Sequence, residues 1–86
     1  MPKAPNTAPG PLTAAVAEIL RMEQGLFRLN DSGLARLAGV DRIAVGRILR
    51  GVKVPDIEIL ALICEALELT LSAVSAAAEA QVAGTK

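Results

Sequence analysis

The side chains that most often carry enzyme chemistry are scarce in this sequence. It contains no histidine and a single cysteine, Cys64, so it lacks the commonest general base and cannot build a disulfide framework or a cysteine-based zinc site. Ser32, Ser72 and Ser75 have no histidine or lysine partner at the spacing of a catalytic triad. We therefore expect no enzyme activity, no metal and no cofactor, and we expect Cys64 to be a buried core residue.

The basic residues are more informative because they are concentrated in one stretch. The net charge of the whole chain is zero, but residues 36–53 hold five basic residues against one acid, and residues 54–86 hold one basic residue against five acids. The basic cluster comprises Arg36, Arg42, Arg47, Arg50 and Lys53. Such a local positive block favours contact with nucleic-acid phosphates, although the same arginines could be a solvated helix face. The acids Glu58, Glu65 and Glu68 are explained either by solvation or by a partner surface.

Length and composition restrict the fold that positions these charges. Eighty-six residues, 52% of them apolar and only one aromatic, predict one small helical domain and exclude barrels and two-half dinucleotide folds. Residues 1–11 contain four of the five prolines and predict a disordered N-terminal arm. The domain itself is predicted over residues 12–82, with a frayed tail over residues 83–86. Because no apolar run reaches about 18 residues and no signal-peptide core is present, we expect a cytoplasmic protein.

The first two helices are predicted from capping residues and apolar spacing. The first begins at a Thr13 cap and ends at Gly25. The second is short, is capped by Asn30 or Asp31 and ends at Gly39. The apolar residues expected to hold these helices in place are Val16, Ile19, Leu20, Leu34, Ala35 and Leu37.

Three further helices complete an all-α domain. Asp41 caps a third helix over residues 42–50, Asp56 caps a fourth, and Thr70 caps a fifth that runs into an alanine-rich segment. The residues expected on the buried faces of helices three and four are Val45, Ile48, Leu49, Ile59, Leu60, Ile63, Cys64 and Leu67.

The joint between helices two and three has the features of a helix-turn-helix. Ala35 is small where two helices must cross closely, and Gly39 permits a positive φ between them. Three apolar residues then point back into the core: Val40, Val45 and Ile48. In such an arrangement the second helix inserts in the major groove of DNA.

At this level of detail the sequence resembles the lambda-repressor-like, Cro-type helix-turn-helix family. The resemblance covers about 45 residues, roughly residues 30–74, and includes the loop from Arg50 to Pro55 as well as the apolar residues of the last two helices. It implies a five-helix DNA-binding domain. The positions it implies for base readout are Arg42, Ile43, Ala44 and Arg47. The positions it implies for phosphate contact are Asn30, Ser32, Arg50 and Lys53. Asp31 departs from the pattern, because the family often has glutamine there and a carboxylate repels phosphate.

The function implied by this resemblance is sequence-specific binding of double-stranded DNA, with the protein acting as a transcriptional repressor that binds a palindromic operator as a homodimer. Because apolar residues recur at helical spacing after Thr70, and the last of them lack an obvious internal partner, we expect the dimer interface there. Its predicted residues are Leu71, Val74, Ala77, Ala78 and Val82. Alternative interfaces are helix one or a partner protein bound to the same stripe. Alternative functions are the antitoxin of a toxin–antitoxin pair and a protein-interaction module that does not bind DNA.

Overall fold

Five stretches with helical apolar spacing form α-helices in the computed structural model, which describes residues 9–84. The helices are α1 (Pro11–Leu26), α2 (Asp31–Ala38), α3 (Arg42–Leu49), α4 (Ile57–Ala66) and α5 (Leu71–Ala83). No strand occurs among residues 9–84. The all-α, five-helix prediction is therefore confirmed.

The first helix is longer at both ends than the sequence predicted. Gly10 is its N-cap and Pro11 its first residue, so the predicted cap Thr13 lies inside the first turn. Proline suits that position because its fixed φ is helical and the N–H it lacks would be unpaired there in any case. At the other end the helix passes through Gly25 and ends at Leu26. Most of the predicted N-terminal arm, residues 1–8, and the end of the predicted tail, residues 85–86, lie outside the described residues.

The other helices begin at the capping residues predicted from sequence, with Asn30 rather than Asp31 capping α2. In each case a side-chain oxygen accepts a backbone N–H bond three residues on, which satisfies one of the free donors of the first turn. The pairs are Asn30 with Gly33 at 2.7 Å, Asp41 with Ala44 at 3.0 Å, Asp56 with Ile59 at 2.8 Å and Thr70 with Ala73 at 3.1 Å. The third helix ends at Leu49, one residue earlier than predicted, and Arg50 is its C-cap.

One hydrophobic core joins all five helices. Its largest fully buried side chains are Leu20, Leu34, Ile48, Ile63, Leu67, Val45, Val74 and Cys64. Leu37 lies on α2 as expected but is not part of this core, because its side chain is 63% exposed and the next residue, Ala38, is buried instead. The short helix α2 packs against α3 and α4. These two helices bury Ala38 but not Leu37, because the Leu37 side chain points about 100° away from Ala38 around the helix.

The longest two helices, α1 and α5, pack along each other. Gln81 Nε2 of α5 donates a hydrogen bond of 2.6 Å to Glu18 Oε1 of α1. Val74 and Ala78 are completely buried, and Val82 packs partly buried against the same core. The expectation that Ala78 and Val82 have no internal partner was therefore wrong, since α1 covers this side of α5.

Candidate nucleic-acid interface

The turn between α2 and α3 fixes the direction of the third helix. Gly39 adopts the left-handed conformation with φ 71°, which glycine reaches without steric cost. Directly after it, the Val40 N–H donates to the Ala35 carbonyl at 3.0 Å and closes the turn. Ala35 is only 5% exposed, as expected for a small residue placed where two helices meet.

Helix α3 is anchored by one face and exposes the other. Three side chains of the inner face are buried to 2% exposure or less: Val45, Ile48 and Leu49. Arg42, Ile43 and Arg47 are exposed and Ala44 is half-buried. A rigid helix with an arginine-bearing outer face has the form needed to enter a groove of DNA.

The four predicted base-reading residues do not form a single row. Ile43, Ala44 and Arg47 lie on the side of α3 opposite its buried face, with Arg47 near the centre. Arg42 belongs to the first turn and lies about 140° around the helix from Arg47. The structure thus brings three of the predicted residues together and places Arg42 apart from them at the helix N-terminus.

Basic side chains continue past the end of α3. Arg50, the C-cap, is exposed, and Lys53 is exposed in the loop that follows. Gly51 has a φ of 76°, and a Cβ built on it would lie 3.6 Å from the Ala17 Cβ of α1. The start of the loop therefore lies next to α1.

The start of α2 presents polar groups on the surface. The Asn30 oxygen is engaged in capping Gly33, which leaves the two amide N–H donors of the same side chain for another acceptor. Ser32 is exposed in the first turn. The N-terminal N–H groups of a helix and its dipole both favour an anion, so these residues suit a phosphate.

Two contacts that position this surface were missed from the sequence. Gln24 Nε2 of α1 donates a hydrogen bond of 2.8 Å to Asp31 Oδ1. The side-chain amide of Gln24 therefore holds the carboxylate of Asp31, the residue that departs from the family pattern. Arg21 Nη1 donates to the backbone carbonyl of Leu49, placing a cation at the C-terminal end of α3, where the helix dipole favours it. Both contacts join separate helices, and no local motif in the sequence signals them.

Comparison with known proteins decides the family. A helix-turn-helix family model matches residues 18–74, more than half of the chain. The chain belongs to the lambda-repressor-like helix-turn-helix family. No curated protein matches it.

Two crystal structures of the clp gene regulator ClgR from Corynebacterium glutamicum share the fold. The first has 26% identity and a TM-score of 0.76, with 86% of this chain and 79% of that chain covered. The second has 27% identity and a TM-score of 0.73, with 91% of this chain and 96% of that chain covered. Family membership and this likeness together indicate that the chain is a DNA-binding transcriptional regulator.

The acids that follow the basic stretch in the sequence lie outside α2 and α3. Glu58 and Glu65 are exposed on α4, and Glu68 is exposed in the turn that follows it. The charge segregation seen in the sequence is therefore a segregation between elements, since the basic cluster lies on α2, α3 and the loop that follows α3.

Cys64 is only 1% exposed and lies on the face of α4 that packs into the hydrophobic core. Burial raises the pKa of its thiol above the ordinary value of 9.0, because the thiolate would have to leave water. Within residues 9–84 no cluster of three potential metal ligands occurs. No helix of that range is long and apolar enough to cross a membrane.

Proposed function

We propose that this protein is a sequence-specific binder of double-stranded DNA that represses transcription by occupying an operator. The observation that carries the proposal is the division of α3 into a fully buried inner face and an exposed outer face bearing Ile43, Ala44 and Arg47, with Arg42 at its start. Likeness to a clp gene regulator supports the regulatory role. Such a repressor acts in the cytoplasm of a bacterial cell, where bacterial and phage genomes are found.

The outer face of α3 supplies chemistry for base readout. An arginine can donate two parallel hydrogen bonds to O6 and N7 of guanine, and small apolar groups can contact the thymine methyl. Arg42 and Arg47 provide the guanidinium groups, and Ile43 and Ala44 provide the apolar surface. We assign guanine readout to Arg42 and a neighbouring base or a phosphate to Arg47.

Phosphate contacts are expected from two parts of the chain that border that face. Asn30 and Ser32 are at the positive end of the α2 dipole, and Arg50 and Lys53 follow α3. Contacts of this kind hold the register of a protein on the duplex without reading its sequence. They also predict a steep loss of affinity with salt, because each neutralised phosphate releases counterions.

We propose that the repressor binds a palindromic operator as a homodimer with half-sites about 10 bp apart. One module of this size buries little surface on DNA, and two-fold binding supplies the rest. Because Val74 and Ala78 are buried, the part of the predicted α5 interface left for a second copy is its exposed side. The exposed alanines of that side, at helical spacing, are Ala73, Ala76, Ala77 and Ala80.

The test is a salt series with random-sequence duplex, followed by selection of bound sequences from a random pool. A DNA regulator loses affinity linearly in log salt with a slope set by its phosphate contacts, and selection returns a palindromic site. Absence of duplex binding even at low salt would contradict the proposal and would favour a protein-interaction module.

A further inference from the structure

Gly46 is an unexpected residue in the middle of α3. Glycine weakens a helix interior because it gains most backbone freedom when the helix unfolds. The φ of Gly46 is not left-handed, so the backbone there does not require glycine. Its position is buried, which raises the question of what occupies the space of the missing side chain.

The space beside Gly46 is occupied by two charged groups. A Cβ built at this position would lie 3.3 Å from Arg50 Nη1 and 3.3 Å from Asp31 Oδ2. Apart from its two neighbours in the chain and the backbone of α3, no other residue has an atom within 4 Å of it. The neighbours are therefore flexible side-chain ends, and packing of the core does not explain the absence of a side chain.

The two groups come from opposite ends of the helix-turn-helix. Arg50 follows the last turn of α3, and its side chain extends back over Gly46 in the direction that helix geometry favours. Asp31 is the first residue of α2, and its other carboxylate oxygen accepts the Gln24 hydrogen bond of 2.8 Å. The carboxylate is thus held in place by α1 and faces the guanidinium across the gap.

We propose that Gly46 is a positioning residue for DNA binding: it leaves the space in which Arg50 lies back toward the start of α2, where a phosphate is bound. Asp31 sets the direction of Arg50, and Arg50 offsets the negative charge that would otherwise repel the phosphate there. This proposal rests on the proposed function, because it assigns Arg50 to that phosphate.

The test compares Gly46→Ala, Arg50→Ala and the double variant with the wild-type chain. In Gly46→Ala the new methyl group forces the guanidinium to move by a few tenths of an ångström, so affinity for random-sequence duplex falls part of the way toward that of Arg50→Ala. The salt slope falls by about one unit in Arg50→Ala, which removes the cation, and by less in Gly46→Ala. In the Arg50→Ala background, Gly46→Ala has no further effect on binding, because the residue through which it acts is absent.

The matched control is Gly25→Ala, in α1. A Cβ at residue 25 has no neighbour within 4 Å, so this change brings the same gain in helix propensity without touching Arg50. We expect both glycine replacements to keep or raise the thermal midpoint of unfolding, and only Gly46→Ala to weaken binding.

Wild-type affinity and salt slope in Gly46→Ala would overturn the proposal, and so would an additive loss in the double variant. A lowered thermal midpoint in Gly46→Ala would also overturn it, since the glycine would then serve packing. Failure of the proposed function would give a different result, because the wild-type chain itself would then bind no duplex at low salt. Failure of the Gly46 proposal alone would leave the wild-type chain and Gly46→Ala binding duplex equally well.

Discussion

The two exposed arginines of α3, Arg42 and Arg47, differ in what they can reach. Arg42 is in the first turn, where a helix that enters a groove end-on makes its deepest contacts. Arg47 lies further along and about 140° around the axis, so the two cannot both point at the same base step. Ile43 lies between them in angle, 56% exposed, and gives the face an apolar element between two cations.

Replacing Arg42 by alanine is expected to cost about 1–3 kcal/mol of binding free energy on the selected operator and to relax preference at one base pair. The reason is the loss of two hydrogen bonds to guanine. The measurement is the dissociation constant on the selected site and on single-base variants of it. Full affinity with an unchanged base preference would show that another residue reads that position.

Cys64 gives the stability of the protein a dependence on alkaline pH. Burial holds the pKa of its thiol above 9.0 in the folded chain, whereas the thiol titrates near its ordinary value when unfolded. Below that value the thiol is neutral in both states. As pH rises past it the unfolded chain loses the proton first, so the free energy of unfolding falls, by at most about 1.4 kcal/mol per pH unit.

The measurement is denaturant unfolding between about pH 8 and about pH 10 for the wild-type chain and for Cys64→Ala. The other titrating groups are common to both proteins, so the difference between them isolates the thiol. We expect the advantage of the wild-type chain to shrink as pH rises. A constant difference across this range would contradict a buried, neutral thiol.

The contacts that can be predicted from the sequence are those between residues close together in the chain. Asp41, Asp56 and Thr70 bind N–H groups three residues away, so composition and order are sufficient to find them. The Arg21 bond to the Leu49 carbonyl spans 28 residues, and its existence depends on how α1 packs on α3. Such contacts follow from the tertiary fold and have no local pattern.

At the scale of elements, the helix-turn-helix depends on one backbone conformation. Gly39 has a φ of 71°, and a Cβ placed on it would have no neighbour within 4 Å. The cost of a side chain there is therefore conformational and not steric crowding by other helices. The same reasoning explains why the turn was predictable, since only glycine reaches this region freely.

Gly39→Ala is expected to lower the free energy of unfolding by about 1–2 kcal/mol. Gly39→Asn should cost less, because asparagine tolerates the left-handed conformation better than alanine. Denaturant unfolding of the three proteins provides the measurement. Equal stability of the alanine variant and the wild-type chain would mean that the turn can close in another way.

Helix limits were harder to predict where two signals competed. Pro11 was assigned to the arm because prolines cluster before it, yet it begins α1, since proline fits a first turn as well as a loop. Leu37 has the right spacing for the core but remains exposed, because its burial depends on a neighbour that does not extend so far. Periodicity predicts a helical face and not what covers it.

At the scale of the whole molecule, α1 covers the side of α5 for which the sequence shows no internal partner. A continuous stripe containing Val74, Ala78 and Val82 is used in the monomer, and Gln81 binds Glu18 across the same joint. Removal of the chain after Ser75 would therefore disrupt the core as well as any dimer. A test of assembly needs a substitution on the opposite side of the helix.

Ala77→Arg is the substitution that separates assembly from folding. Ala77 is exposed, so an arginine there leaves the core intact and places two cations against each other in a two-fold dimer. Ser75→Arg, exposed about 160° around the same helix, is the matched control. We expect sedimentation to show a dimer for the wild-type chain and for the control variant, and a monomer for Ala77→Arg. The affinity of Ala77→Arg for a full palindrome is expected to fall toward its affinity for a half-site. A dimer in all three proteins would move the interface to another element, such as α1, while leaving the DNA-binding face of α3 as described.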